Sequence, residues 1–512
     1  MHSNRIAYAS ILLFVATEAA AQDQPLSVID WVTRNPEQPA ITSAALPKRF
    51  EPPVSPDATA PSVTVQPLGQ EAARLIGIVP STVTGLPQSL WSGSAVSGLV
   101  AQLDEISAFR LPAAQALLFT LLLTEATAPG TDTAGADLLT LARVDALARF
   151  GAHDPAISLL DQAGITRDVP HFEAYMDLAL LTGLEDTACA ILTSQPHLSP
   201  SIGRRIFCAA RSGDWPTAAL LFDTATSLET LPPSEAAVLE RFLHPEAFEN
   251  EAPLTRPQTM TPLLFRLHEA VGEPFPSGTL PRSYAVADLR DLAGWKPQLE
   301  AAERLAVVGA LSPNKLLALY TARQPAASGG VWDRALAVQR FDTALRSRSV
   351  DAIAKSLPSA WVAMQTVGLE TSFAELFAEA LTRYDLPGPA GEIATTMALL
   401  SPDYRRFAAG IDASPVEKNL AGTEVAVATA LSARDAALLA GLDARNARTD
   451  LVKMARNGRM GEAILRALVL LDAGASGNHA ALTQALATLR AFGLEDTVRR
   501  AALQISLLER WN

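Results

Sequence analysis

Aromatic side chains make up only 6% of this 512-residue chain, and cysteine occurs twice. Scarce rings beside abundant alanine and leucine argue against sheets, because alanine and leucine lead the helix scale while aromatic and β-branched residues populate strands. Long apolar runs are missing as well. A membrane span needs about 20 apolar residues, and beyond the first 21 residues the densest run is Leu117–Leu123. No transmembrane segment is therefore expected in the mature chain. A clustered basic stripe is also lacking, and the net charge is −13 with a pI near 5.1. That balance excludes nucleic acid and anionic lipid as natural partners.

Catalytic and metal-binding patterns are equally sparse. The histidines are His2, His153, His171, His197, His244, His268 and His479. None pairs with another histidine or a cysteine at metal-ligand spacing. There is no phosphate-binding loop, no Gly-x-Gly-x-x-Gly and no Gly-x-Ser-x-Gly elbow. Ser312-Pro-Asn-Lys315 has the Ser-x-x-Lys spacing of penicillin-interacting enzymes, but its companion motifs are missing. Ser312 followed by Pro313 reads instead as the cap and first turn of a helix. No cofactor, no metal site and no enzyme activity is predicted.

What the chain does contain is a repeat. Gly183-Leu-Glu-Asp-Thr-Ala188-Cys-Ala-Ile191-Leu192 matches Gly213-Asp-Trp-Pro-Thr-Ala218-Ala-Leu-Leu221-Phe222. Gly151 with Ala156 and Leu159–Leu160 fits the same template, and Gly368, Gly458 and Gly493 open weaker copies. Glycine ends one helix in a left-handed cap. An acidic residue follows where the next helix dipole favours it. A small residue then lets two helices approach, and the apolar pair fills the gap to the next hairpin. The pattern resembles the tetratricopeptide-like helical-hairpin class, whose period is near 34 residues. That resemblance implies an all-α fold of stacked helical hairpins, a TPR-like α-solenoid. The segment Leu319-Tyr-Thr-Ala-Arg-Gln-Pro-Ala-Ala-Ser-Gly-Gly-Val-Trp-Asp-Arg334 also resembles exported helical-repeat proteins of Gram-negative bacteria that have no assigned activity.

The N-terminus reads as an export signal. Arg5 is followed by the apolar run Ile6–Ala16 and by Ala19-Ala20-Ala21, which places cleavage after Ala21 and the mature chain in the periplasm. Residues 22–67 form a linker, with eight prolines between 36 and 67, which implies disorder. Within it Leu26, Ile29 and Trp31 form one apolar turn, a docking segment for a partner or a latch onto the helical body. Helical halves are expected at 68–243 and 283–512. The first closes on a helix capped by Ser234. Between the halves, residues 244–282 hold seven prolines and one predicted helix over Thr261–Val271. In an oxidising compartment Cys189 and Cys208, on neighbouring helices, are candidates for a disulfide. The loop Ser328-Gly329-Gly330 with Trp332 is the second candidate partner-binding element. The reading that follows is a non-enzymatic periplasmic scaffold binding a protein partner in the bacterial envelope. The alternatives are an accessory factor or enzyme acting on cell-wall polymer, or a helper of a secretion system or flagellar motor.

Overall fold

The glycines of the repeat template are the joints of the molecule. A computed structural model of the chain describes residues 75–129, 133–290, 292–427 and 430–508. At Gly151, Gly183, Gly213, Gly368, Gly458 and Gly493 the backbone turns left-handed, with φ between 71° and 87°. In each case the next residue's N–H bonds back to a carbonyl five residues earlier, as from Leu184 to Ala179 at 2.9 Å. This closure satisfies a carbonyl that the helix end would otherwise leave unpaired. The next helix then begins two residues after the glycine, at His153, Glu185, Trp215, Glu370, Met460 and Glu495. The fifth residue after each glycine is buried: Ala156, Ala188, Ala218, Phe373, Ala463 and Val498.

Among the described residues the regular secondary structure is almost all helix. A two-residue ladder is the exception, with β1 (Leu75–Ile76) antiparallel to β2 (Ala126–Thr127) and Leu75 opposite Thr127. The helices of the first stretch are α1 (Ser81–Thr84), α2 (Val96–Glu105), α3 (Pro112–Leu123), α4 (Thr133–Arg149), α5 (His153–Ala163), α6 (Val169–Thr182), α7 (Glu185–Ser194), α8 (Ile202–Arg211), α9 (Trp215–Ser227) and α10 (Pro233–Leu243). From α4 onward most helices pack on the one before and the one after. Pro232, not Ser234, precedes the last of these helices. Pro233 takes its first position because it has no N–H to leave unpaired there. The proline-rich connector is short 3-10 turns around one helix, α11 (Pro262–Ala270), close to the predicted Thr261–Val271, with the Thr261 hydroxyl as its N-cap. It folds back so that α11 rests on α6.

After the 3-10 stretch Arg282–Leu289 come α12 (Trp295–Ala306), α13 (Pro313–Thr321), α14 (Val331–Ser347), α15 (Val350–Gln365), α16 (Glu370–Leu381) and α17 (Pro389–Leu400). The last stretch holds α18 (Tyr404–Ala408), α19 (Pro415–Ala421), α20 (Ala433–Gly441), α21 (Thr449–Arg456), α22 (Met460–Ala475), α23 (His479–Ala491) and α24 (Glu495–Leu507). The packing order closes on itself, because α3 lies against α22 and α24. Consequently one core cluster joins residues 76–267 to residues 399–505, while a second spans 285–400 and adds Leu508. Among the described residues no helix is long and apolar enough to cross a membrane.

Cys189 of α7 and Cys208 of α8 form a disulfide, with Cα atoms 4.9 Å apart and both residues buried. Nearby ion pairs bind the connector to this region. Arg266 of α11 reaches Glu185 of α7 and Glu269, and Arg290 grips Glu269 at 2.8 and 2.9 Å.

Candidate functional site

Helices α14 and α15 form an antiparallel hairpin with two unlike faces. One face is core: Val338, Phe341, Ile353, Leu357, Trp361 and Met364 are buried. The other carries Ala337, Ala344, Ala352, Ser356, Ser359 and Ala363, spaced by three, four or seven residues along each helix. Small side chains at that spacing leave a trough between the helices. The trough is a groove of about 1040 Å³, and Val362 on its edge is 57% exposed.

Charge at the groove comes from Arg334, Arg340, Lys355 and Asp333. Arg334 is fixed, because Glu303 of α12 takes its Nε at 2.7 Å and its Nη2 at 2.5 Å. The Tyr320 hydroxyl donates to the same carboxylate at 2.7 Å. Hydrogen bonding to Glu303 holds the Arg334 guanidinium above its ordinary range. Burial first, and Glu303 second, push the Tyr320 phenol well above its own. Arg340 and Lys355 also line the groove, both exposed, and neither has a carboxylate partner among the described residues. The groove is thus an apolar floor with two cations that lack a carboxylate partner and one carboxylate, Asp333, held by the Gly329 N–H at the loop end.

The predicted loop lies at one end of this groove. Gly330 lines it, and Gly329 and Gly330 have φ of 89° and 57°. At Gly330 ψ is −127°, a combination that a side chain would strain. The Gly329 N–H donates to Asp333 Oδ1 at 3.0 Å, which seats the loop at the start of α14. Ser328 is exposed beside it. Trp332 packs against Trp295, ring centroids 5.2 Å apart, and the Trp295 indole N–H donates to the Leu319 carbonyl at 2.9 Å. Trp332 therefore anchors the loop from behind. Leu26, Ile29 and Trp31 lie outside the described residues. Ser312 accepts a hydrogen bond from the Lys315 N–H at 3.3 Å, as an N-cap does.

Sequence reasoning found the loop but missed Arg340, Lys355 and the small-residue stripe. The signal was present: alanine and serine recur at helical spacing on two consecutive helices, out of phase with the large apolar residues. No protein-family model, no curated protein and no solved structure matches the chain.

Proposed function

We propose that this chain is a non-enzymatic scaffold of the bacterial periplasm, built on TPR-like helical hairpins, and that the α14–α15 groove receives a segment of a protein partner. The observation that carries the reading is the groove itself. An apolar trough between two helices accepts the ridge of an amphipathic helix. Arg340 and Lys355, which lack acidic partners, favour a ridge bearing carboxylates. The buried disulfide agrees with an oxidising compartment.

Site-specific photocrosslinking in cells tests this. A photoreactive residue at Thr343 or Ser359, both exposed and both in the groove, should give one dominant envelope-protein adduct. The same photoreactive residue at Thr382, exposed at the end of α16 and outside the groove lining, is the control. Joint Arg340→Glu and Lys355→Glu replacement should abolish the adduct at unchanged melting temperature. Equal labelling from groove and control positions, or an adduct indifferent to the charge reversal, would reject the assignment.

A further inference from the structure

A second cavity, of about 760 Å³, lies where the proline-rich connector meets the helices on either side. Phe207 of α8 and Phe242 of α10 form one wall, ring centroids 6.0 Å apart. Phe275, between Pro274 and Pro276, forms another. Phe207 is buried, Phe242 also meets Trp215, and Phe275 carries His268 at its ring and the Arg256 guanidinium 5.4 Å from its centroid, so Phe242 and Phe275, each half-buried, supply the apolar surface of the cleft. Interleaved with them are three cations, Arg211, Arg266 and Arg304, and three carboxyl groups, Glu269, Asp288 and Glu300.

The six charged groups are already held in place. Arg266 and Arg290 fix Glu269. Arg304 donates to the carbonyls of Ser277 at 2.8 Å and Leu280 at 2.9 Å. Lys296 pairs with Glu300 at 2.5 Å, and the Ser277 hydroxyl donates to Asp288. Arg211 pairs with Asp186 at 2.6 Å. Each pairing uses part of the capacity of its group, since a guanidinium has five N–H donors and a carboxylate about four acceptor positions. The cleft therefore offers fixed donors and acceptors, balanced in charge, beside the half-buried rings of Phe242 and Phe275.

That combination selects a ligand class. A net anion meets the three carboxyl groups, and a net cation meets the three arginines. A wholly apolar ligand strips water from these groups and returns no hydrogen bonds, which is costly. A ligand with apolar C–H faces and a rim of hydroxyls satisfies both surfaces, because each hydroxyl donates and accepts. We propose that this cleft binds a neutral oligosaccharide segment, with pyranose C–H groups against the uncovered parts of Phe242 and Phe275 and hydroxyls bridging the arginine and carboxyl groups. The volume is that of ordinary small-ligand sites. The inference is independent of the groove on α14 and α15, which shares no lining residue with the cleft.

Gly278 provides the test. It lines the cleft, and a Cβ placed on it meets no atom within 4 Å. Gly278→Trp should fill the mouth without disturbing the backbone. Saturation-transfer NMR and calorimetry on the full chain would use cellotetraose and chitotetraose as neutral probes, with an oligogalacturonate and a chitosan oligomer as charged ones. Binding of a neutral probe, weakened about tenfold or more by Gly278→Trp, supports the proposal. Should Gly278→Trp lower the melting temperature, Glu300→Ala at the exposed rim replaces it, with about a threefold loss expected. No saturation transfer to either neutral probe overturns the proposal. So does tighter binding of a charged probe, or binding that neither variant changes.

Discussion

His153 and Arg143 show what burial does to a charge here. His153 is 1% exposed at the start of α5, with Nε2 3.3 Å from the Ser283 hydroxyl. Burial pulls its pKa down to about 4, against the opposing pulls of the Gly151 backbone and Asp154. The folded value lies below the ordinary 6.5, so the neutral ring contributes stability that is fully present above pH 6.5 and is lost as the pH falls toward 4. The gap corresponds to at most about 3 kcal/mol. Calorimetric melting between pH 7 and pH 4 should show a shallower acid decline for His153→Gln than for the parent, and identical declines would refute the assignment. Arg143 is buried as well, and burial lowers it to about 10, so it keeps its charge. Its guanidinium donates to the carbonyls of Leu122 at 2.6 Å, Ile76 at 3.0 Å and Thr124 at 3.0 Å. Arg143→Met fills the space but removes the donor that each of these three carbonyls takes from the guanidinium. A loss of about 3 kcal/mol is expected by urea denaturation, and a loss below about 1 kcal/mol would mean that water takes over those carbonyls.

At the scale of the element, the helix joints were legible where one local rule suffices. Glycine and an early acid lie within ten positions at all six joints, with alanine in the fifth place at four of them, so these joints could be read directly. Gly477 shows why others escaped. It makes the same turn, at φ 107°, with the Asn478 N–H closing on the Ala473 carbonyl, and α23 starts two residues later. The helix after it has no acid in its first turn, and its fifth residue is Leu482, not a small one. The room comes from the preceding helix, where a Cβ on Gly474 would lie 2.6 Å from the Leu482 Cα. The small residue has moved to the other helix of the pair, which no single-helix template detects. The groove escaped for a similar reason, since its two cations belong to different helices. These two uses of glycine predict different costs. Nothing surrounds Gly213, so Gly213→Ala carries only the left-handed backbone penalty, about 1 kcal/mol. Gly474→Ala forces two helix backbones apart and should cost up to about 3 kcal/mol. Urea midpoints of the two variants compare them, and equal losses would mean that α22 and α23 shift apart freely.

Over the whole molecule, the decisive contacts join residues that sequence patterns cannot relate. The Gly93 N–H donates to the Gly458 carbonyl at 2.9 Å, and the Gly461 N–H to the Leu90 carbonyl at 2.8 Å. Gln504 of α24 accepts the Ala113 N–H at 2.9 Å, at the start of α3. Trp91, 1% exposed, lies over Gly461 so closely that a Cβ there would be 2.2 Å from its ring. Closing so long a stretch of chain costs entropy, which buried contacts at the seam must offset. The helices of residues 399–505 share a core with those of residues 76–267, so the seam couples the first helices to the last. Gly461→Leu tests that coupling, because the added side chain has no space beneath Trp91. Hydrogen exchange should then show α3, α22 and α24 losing protection together, and urea unfolding should become less cooperative. If protection fell only around residues 89–93 and 458–461, the shared core would be holding the two ends together without the seam. Trp91→Ala separates the two cases further: it removes the clash partner, so Gly461→Leu should cost less in that background than in the parent chain.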